Sequence, residues 1–78
     1  MARGVKMEVD TDLMNRCVWI VSFLEDEWDN DSSIGDVACR YREDALKLGR
    51  MWLHNKVHTI EDIEFAYANE QMGSLDAV

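Results

Sequence analysis

Cys17-Val18-Trp19-Ile20-Val21-Ser22-Phe23-Leu24 is the longest apolar-rich run in the chain, and its conformation decides the fold. Read with the helical period, it belongs to a helix over 12–29. Leu13, Cys17, Ile20, Leu24 and Trp28 then share one stripe, widened by Met14, Val18 and Val21. Read as a continuous apolar block, the same run is a buried strand. Length favours the helix. Asn15 and Arg16 before the run, and the acidic residues after it, extend the element beyond a strand. Thr11 or Asp12 can cap that helix, and Asp10 and Asp12 suit the positive end of its dipole.

Upstream of this run, Val5, Met7 and Val9 alternate with Lys6 and Glu8, the period of a short strand. With 17–24 helical, a strand there has nothing to pair with, so residues 1–10 are expected as an extended N-terminal arm. Downstream, Asp29-Asn30-Asp31-Ser32-Ser33 is a turn by composition. Ser33 and Asp36 have capping-box spacing and open a second expected helix over 33–55. Its stripe is Ile34, Val37, Ala38, Tyr41, Ala45, Leu48 and Trp52, within about 120° of arc. Asn55 to His58 reads as a connection. Thr59 and Asp62 repeat the capping pattern and start a third helix over 59–72. Ile60, Ile63 and Tyr67 face inward there, with Phe65, Ala68 and Met72 on a second strip. Gly73 suits a left-handed helix terminus and 73–78 a frayed tail. The expected fold is all-α: one small domain over 1–78, a three-helix bundle with a short extended arm.

Seventy-eight residues make one domain, which buries about 60% of the surface its unfolded chain exposes. Apolar residues at 47% suffice for a core and exclude a disordered tail. Sixteen acidic residues against eight Lys and Arg leave a net charge of −8. That balance argues against direct nucleic-acid binding, which needs clustered basic residues, and favours attraction to basic surfaces. No secretory signal is expected at the N-terminus, and the 17–24 run is shorter than the ~20 residues that cross a bilayer. A cytoplasmic, reducing setting fits two cysteines expected as free thiols.

The strongest functional signal is acidic. Glu25, Asp26, Glu27, Asp29, Asp31 and Asp36 crowd one short stretch. Four of them would sit at the negative end of the first helix, where the dipole disfavours them. The expected use is docking to a basic protein surface. Trp19 and Phe23 would lie on the far side of that helix, away from its stripe. Either that helix is central and wrapped by the other two, with both rings in the core, or they are interface anchors, for a partner or for a homodimer. The expected partner-binding set is Trp19, Phe23, Glu25, Asp26, Glu27, Asp29 and Asp31.

Other chemistries find little support. Asp29, Asp31 and Ser33 open a calcium-loop pattern that fails at Ile34 and Arg40. Cys17, Cys39, His54 and His58 lack zinc-knuckle spacing, so no metal is assigned. No glycine-rich phosphate loop or activated nucleophile appears, and no cofactor or enzymatic activity is expected. Arg40, Lys47, Arg50 and His54 share the outer face of the second expected helix. They could touch phosphate. Read as a helix-turn-helix, however, the following helix begins with Glu61, Asp62 and Glu64, which would repel DNA. The expectation is a non-enzymatic protein-binding module, a small acidic inhibitor or adaptor. The alternative is a nucleic-acid mimic whose carboxylates stand in for phosphates in the basic groove of a DNA- or RNA-handling protein.

Overall fold

The computed structural model describes residues 2–11 and 17–70. It replaces the expected helical bundle with an α+β fold. Three antiparallel strands form one sheet, and two helices follow: β1 (Gly4–Thr11), β2 (Cys17–Leu24), β3 (Ser33–Cys39), α1 (Arg42–Leu53) and α2 (Ile60–Glu70). A short 3-10 turn, Asn30–Ser32, precedes β3. The sheet order is β1-β2-β3, so the central strand is the run that decides the fold. The helix over 12–29 is therefore a correction. Residues 12–16 lie outside the described residues, 17–24 are strand, and 25–32 are the loop joining β2 to β3.

The physical reason lies in the side chains. Val18, Ile20 and Val21 are β-branched and Trp19 and Phe23 aromatic, residues that fit a pleated surface better than a helix. Trp19, Val21 and Phe23 point to one face by strand alternation and meet the core. Val18 and Ile20 point to the opposite face and are half-buried between the flanking strands. Apolar residues on both faces hide the alternation that would mark a strand.

The arm over 1–10 is corrected by the same finding. Val5 pairs with Phe23, Met7 with Val21 and Val9 with Trp19, so β1 has its partner in β2. The N-terminal part of the second expected helix is also strand. Ser33 caps no helix. Its hydroxyl instead accepts from Gly35 N at 3.1 Å, within extended chain. Phe23 pairs with Gly35 and Leu24 with Ser33, so Ile34 is an extra residue in β3, a β-bulge. Gly35 has φ 148°, which side-chain-bearing residues rarely adopt, and a Cβ there would stand 2.9 Å from Ile60 Cδ1.

From Ala45 onward the helical stripe is as the periodicity implies. Ala45, Leu48 and Trp52 of α1 are buried against the sheet. α1 packs on all three strands, and α2 packs on α1 and β3. The ends of both helices follow local chemistry. Asn55 takes φ 60°, and Asn55 N donates to Trp52 O at 3.1 Å and Lys56 N to Met51 O at 2.8 Å. These are the two bonds of a Schellman motif, which turns the chain out of α1. Thr59 Oγ1 accepts from Asp62 N at 3.1 Å, and Asp62 Oδ2 accepts from Thr59 N at 3.3 Å, a reciprocal cap on α2. Gly73 and Met72 lie outside the described residues.

Trp52 joins helix to sheet. Its indole Nε1 donates to Gly4 O at 3.1 Å and to Leu24 O at 3.0 Å, the carbonyls of two paired strand residues. Phe23 meets it edge-on, with ring centroids 6.1 Å apart. Arg3 lies over the ring, the guanidinium carbon 3.7 Å from the ring centroid. Arg3 Nη1 also donates to Trp52 O at 3.0 Å and Val57 O at 2.9 Å, tying the chain start to the end of α1.

Candidate functional site

The two expected anchors belong to the folded interior. Phe23 has no exposed surface and Trp19 is half-buried against the core. The geometric argument that placed them outside rested on a helix that does not form. All five carboxylates of the expected set lie in the β2–β3 loop. Glu25, Glu27, Asp29 and Asp31 are exposed, and Asp26 is half-buried.

At the loop's tip stands a residue that sequence reasoning assigned to a buried stripe. Trp28 is 89% exposed, the most exposed of the large apolar side chains among the described residues. The signal that marks it is its setting: Glu27 precedes it and Asp29 follows, so neither neighbour can share an apolar face. With the helix gone, the dipole conflict at 25–29 also vanishes. The carboxylates stand on a loop.

That loop is tied by its own bonds. Asp26 Oδ1 accepts from Trp28 N at 3.0 Å, and Asp29 Oδ1 accepts from Asp31 N at 2.9 Å. Ser32 Oγ accepts from Asp26 N at 3.0 Å and lies 2.6 Å from Asp29 O, to which it donates. Glu25 N donates to Ser32 O at 3.2 Å, closing the loop across its base, and Glu27 N donates to Ala2 O at 2.9 Å. Asp26 and Asp29 thus shape the backbone, while Glu25, Glu27 and Asp31 are exposed on the same loop as Trp28. The loop carries an exposed aromatic ring and exposed carboxylates, groups that suit Lys or Arg by cation–π contact and ion pairing.

The metal-like residues are scattered. Cys39 is buried in the core, His54 ends α1, and His58 lies in the next connection with Nδ1 3.3 Å from Arg3 Nη2. The Cys17 side chain lies outside the described residues. No group of three His, Cys, Asp or Glu able to hold a metal occurs among the described residues. No helix of the described residues is long and apolar enough to cross a membrane.

Burial pushes the Cys39 thiol from 9.0 up to about 11, the Asp44 carboxylate adds to the rise, and a hydrogen bond with Tyr67 opposes it. Tyr67 is raised as well, chiefly by burial. A thiol held protonated is a poor nucleophile. Because its folded pKa lies above the ordinary value, its contribution to stability is complete below about 9. It is lost as pH rises toward 11. In a Cys17→Ser background, Cys39 is therefore expected to resist a thiol reagent near neutral pH until denaturant is added. Urea midpoints should fall between pH 9 and 11, less steeply in Cys39→Ala. Immediate native-state labelling would show that the thiol is accessible after all.

Comparison with protein-family models, curated proteins and solved structures finds no match.

Proposed function

We propose that this chain is a non-enzymatic protein-binding module, an acidic inhibitor or adaptor, that engages a basic protein surface through the β2–β3 loop. The observation that carries the reading is Trp28, 89% exposed on a loop held in shape by internal hydrogen bonds. An exposed indole gives the fold little in return for its apolar surface, whereas Trp is among the residues most enriched at binding hot spots. A pre-shaped loop also loses less conformational entropy on binding. The loop's carboxylates steer a cationic partner and contribute chiefly to the association rate.

An arginine-rich peptide labelled with a fluorophore serves as the probe. Trp28→Ala is expected to weaken its binding by roughly tenfold or more, the scale of a lost hot spot of about 2 kcal/mol. Glu25→Gln, Glu27→Gln and Asp31→Asn together should slow association at low salt while leaving thermal stability unchanged. Added salt should slow the wild type likewise, since exposed charges are screened over about 8 Å at physiological ionic strength. Binding indifferent to both changes would remove the loop from the interface.

A second reading rests on a different surface. Glu8, Asp10 and Asp36 pair with Ile20, Val18 and Ser22, on the sheet face opposite the core. Carboxylates spread over that face support a nucleic-acid mimic. Competition between this chain and duplex DNA for one basic partner, lost in Glu8→Gln/Asp10→Asn/Asp36→Asn, would favour it.

A further inference from the structure

A pocket of about 280 Å³ opens on α1 and the turn after it, lined by Lys47, Arg50, Met51, His54 and Lys56. We propose that this pocket binds a phosphate group, free or carried by a small molecule, held by Arg50, Lys56 and His54. The site is independent of the acidic loop and of the function proposed for it.

Helix geometry gathers the cations. Lys47, Arg50, Met51 and His54 recur at the three- and four-residue spacing of one helix face. Lys56 would leave that face if α1 simply stopped. The left-handed Asn55 reverses the chain instead, and the 2.8 Å bond from Lys56 N to Met51 O sets Lys56 back over the last turn. Three of the eight Lys and Arg residues in a chain of net charge −8 thus meet one of its two histidines. None of the five lining residues is a carboxylate. Glu43, one turn before Lys47, can offset part of that residue's charge, so the weight falls on the other three.

The competing account is that cations merely complement the negative end of α1. Magnitude decides against it. A helix terminus presents about half a charge, and the last carbonyls already accept from backbone: Arg50 O from His54 N, Trp52 O from Asn55 N, Met51 O from Lys56 N. Two full positive charges on Arg50 and Lys56, with Lys47 and His54 beside them, exceed what that terminus needs. The pocket lies just below the range for small-molecule sites, about 300–1,000 Å³. Arg50 offers the planar fork that matches two phosphate oxygens. Met51 gives an apolar wall for whatever bears the phosphate. The net negative charge of the protein repels anions at long range, so binding in the millimolar range is expected.

The test is a ¹H–¹⁵N NMR titration at constant ionic strength, with sodium chloride replaced by inorganic phosphate in one arm and by a nucleoside monophosphate in another. Saturable shifts centred on residues 47–56 are expected in at least one arm. Tighter binding of the nucleotide would mark an organic phosphate ester as the ligand, and equal binding would mark the free ion. Arg50 and Lys56 are exposed, so Arg50→Gln/Lys56→Gln should keep the wild-type spectrum elsewhere and lose affinity at least tenfold. Non-saturating shifts in both arms, or equal affinity in the double variant, would overturn the proposal.

Discussion

Trp52→Ala is expected to leave the chain unfolded at 25 °C. The indole is 1% exposed, touches Phe23 edge-on and lies under Arg3. Truncating a buried Trp costs about 3–5 kcal/mol in lost burial and cavity. Two strand carbonyls, Gly4 O and Leu24 O, also lose the donor that serves both. An unsatisfied buried group costs about 1–3 kcal/mol. Against this, a domain of this size rarely has more than about 3–5 kcal/mol from its core. Far-UV circular dichroism of Trp52→Ala should show loss of structure with no cooperative urea transition. Trp52→Phe narrows the cause, because it keeps a six-membered ring in the core while losing the N–H and the rest of the indole. It should stay folded, with stability lower by about 1–3 kcal/mol. A Trp52→Ala protein that still unfolds cooperatively near the wild-type midpoint would show that the sheet and α1 hold together without this bridge.

What could be read from the sequence divides along physical lines. The later part of the chain was legible because its signals are local. Ala45, Leu48 and Trp52 repeat at helical spacing on a surface with one buried side. Thr59 and Asp62 cap each other three residues apart. The earlier part depends on pairing between segments distant in sequence, which no local pattern records. Residues 5–9 do alternate like a strand, and their partner is the 17–24 run. Reading that run as a helix removed the partner and demoted β1 to an arm, so one misassignment produced two. The Ser33/Asp36 spacing then matched a helix cap by coincidence, because Ser33 bonds locally in extended chain too. The acidic loop was legible by composition. Four carboxylates near a supposed helix end read as a functional sign, although the unfavourable dipole is equally evidence against the helix. Trp52 was legible as core. Its double hydrogen bond was not, since it joins residues 4 and 24 to residue 52.

Phe23→Ala is expected to destabilise the fold by about 3–5 kcal/mol, and Trp28→Ala to change it by less than about 0.5 kcal/mol. The two aromatics exchange the roles that a helix over 12–29 would give them. On such a helix Trp28 continues the buried stripe and Phe23 faces outward. On β2, Phe23 alternates with Ser22 and Leu24, points inward beside Val21, and has no exposed surface. Its ring fills space between the sheet and Trp52, with Gly35 as its partner across the β2–β3 ladder. A glycine neighbour has no side chain to swing into the vacancy, so relaxation around an alanine is limited and the cost belongs in the upper part of that range. Trp28 sits beyond the end of β2, and its removal leaves the bonds of the 25–32 loop in place, because those use its backbone N rather than its ring. Urea titrations of the two single variants measure the difference directly. With equal m-values, the Phe23→Ala midpoint should fall steeply or vanish, while Trp28→Ala should overlay the wild type. The reverse order would restore the helical register to residues 17–28, and with it Trp19 and Phe23 as surface anchors.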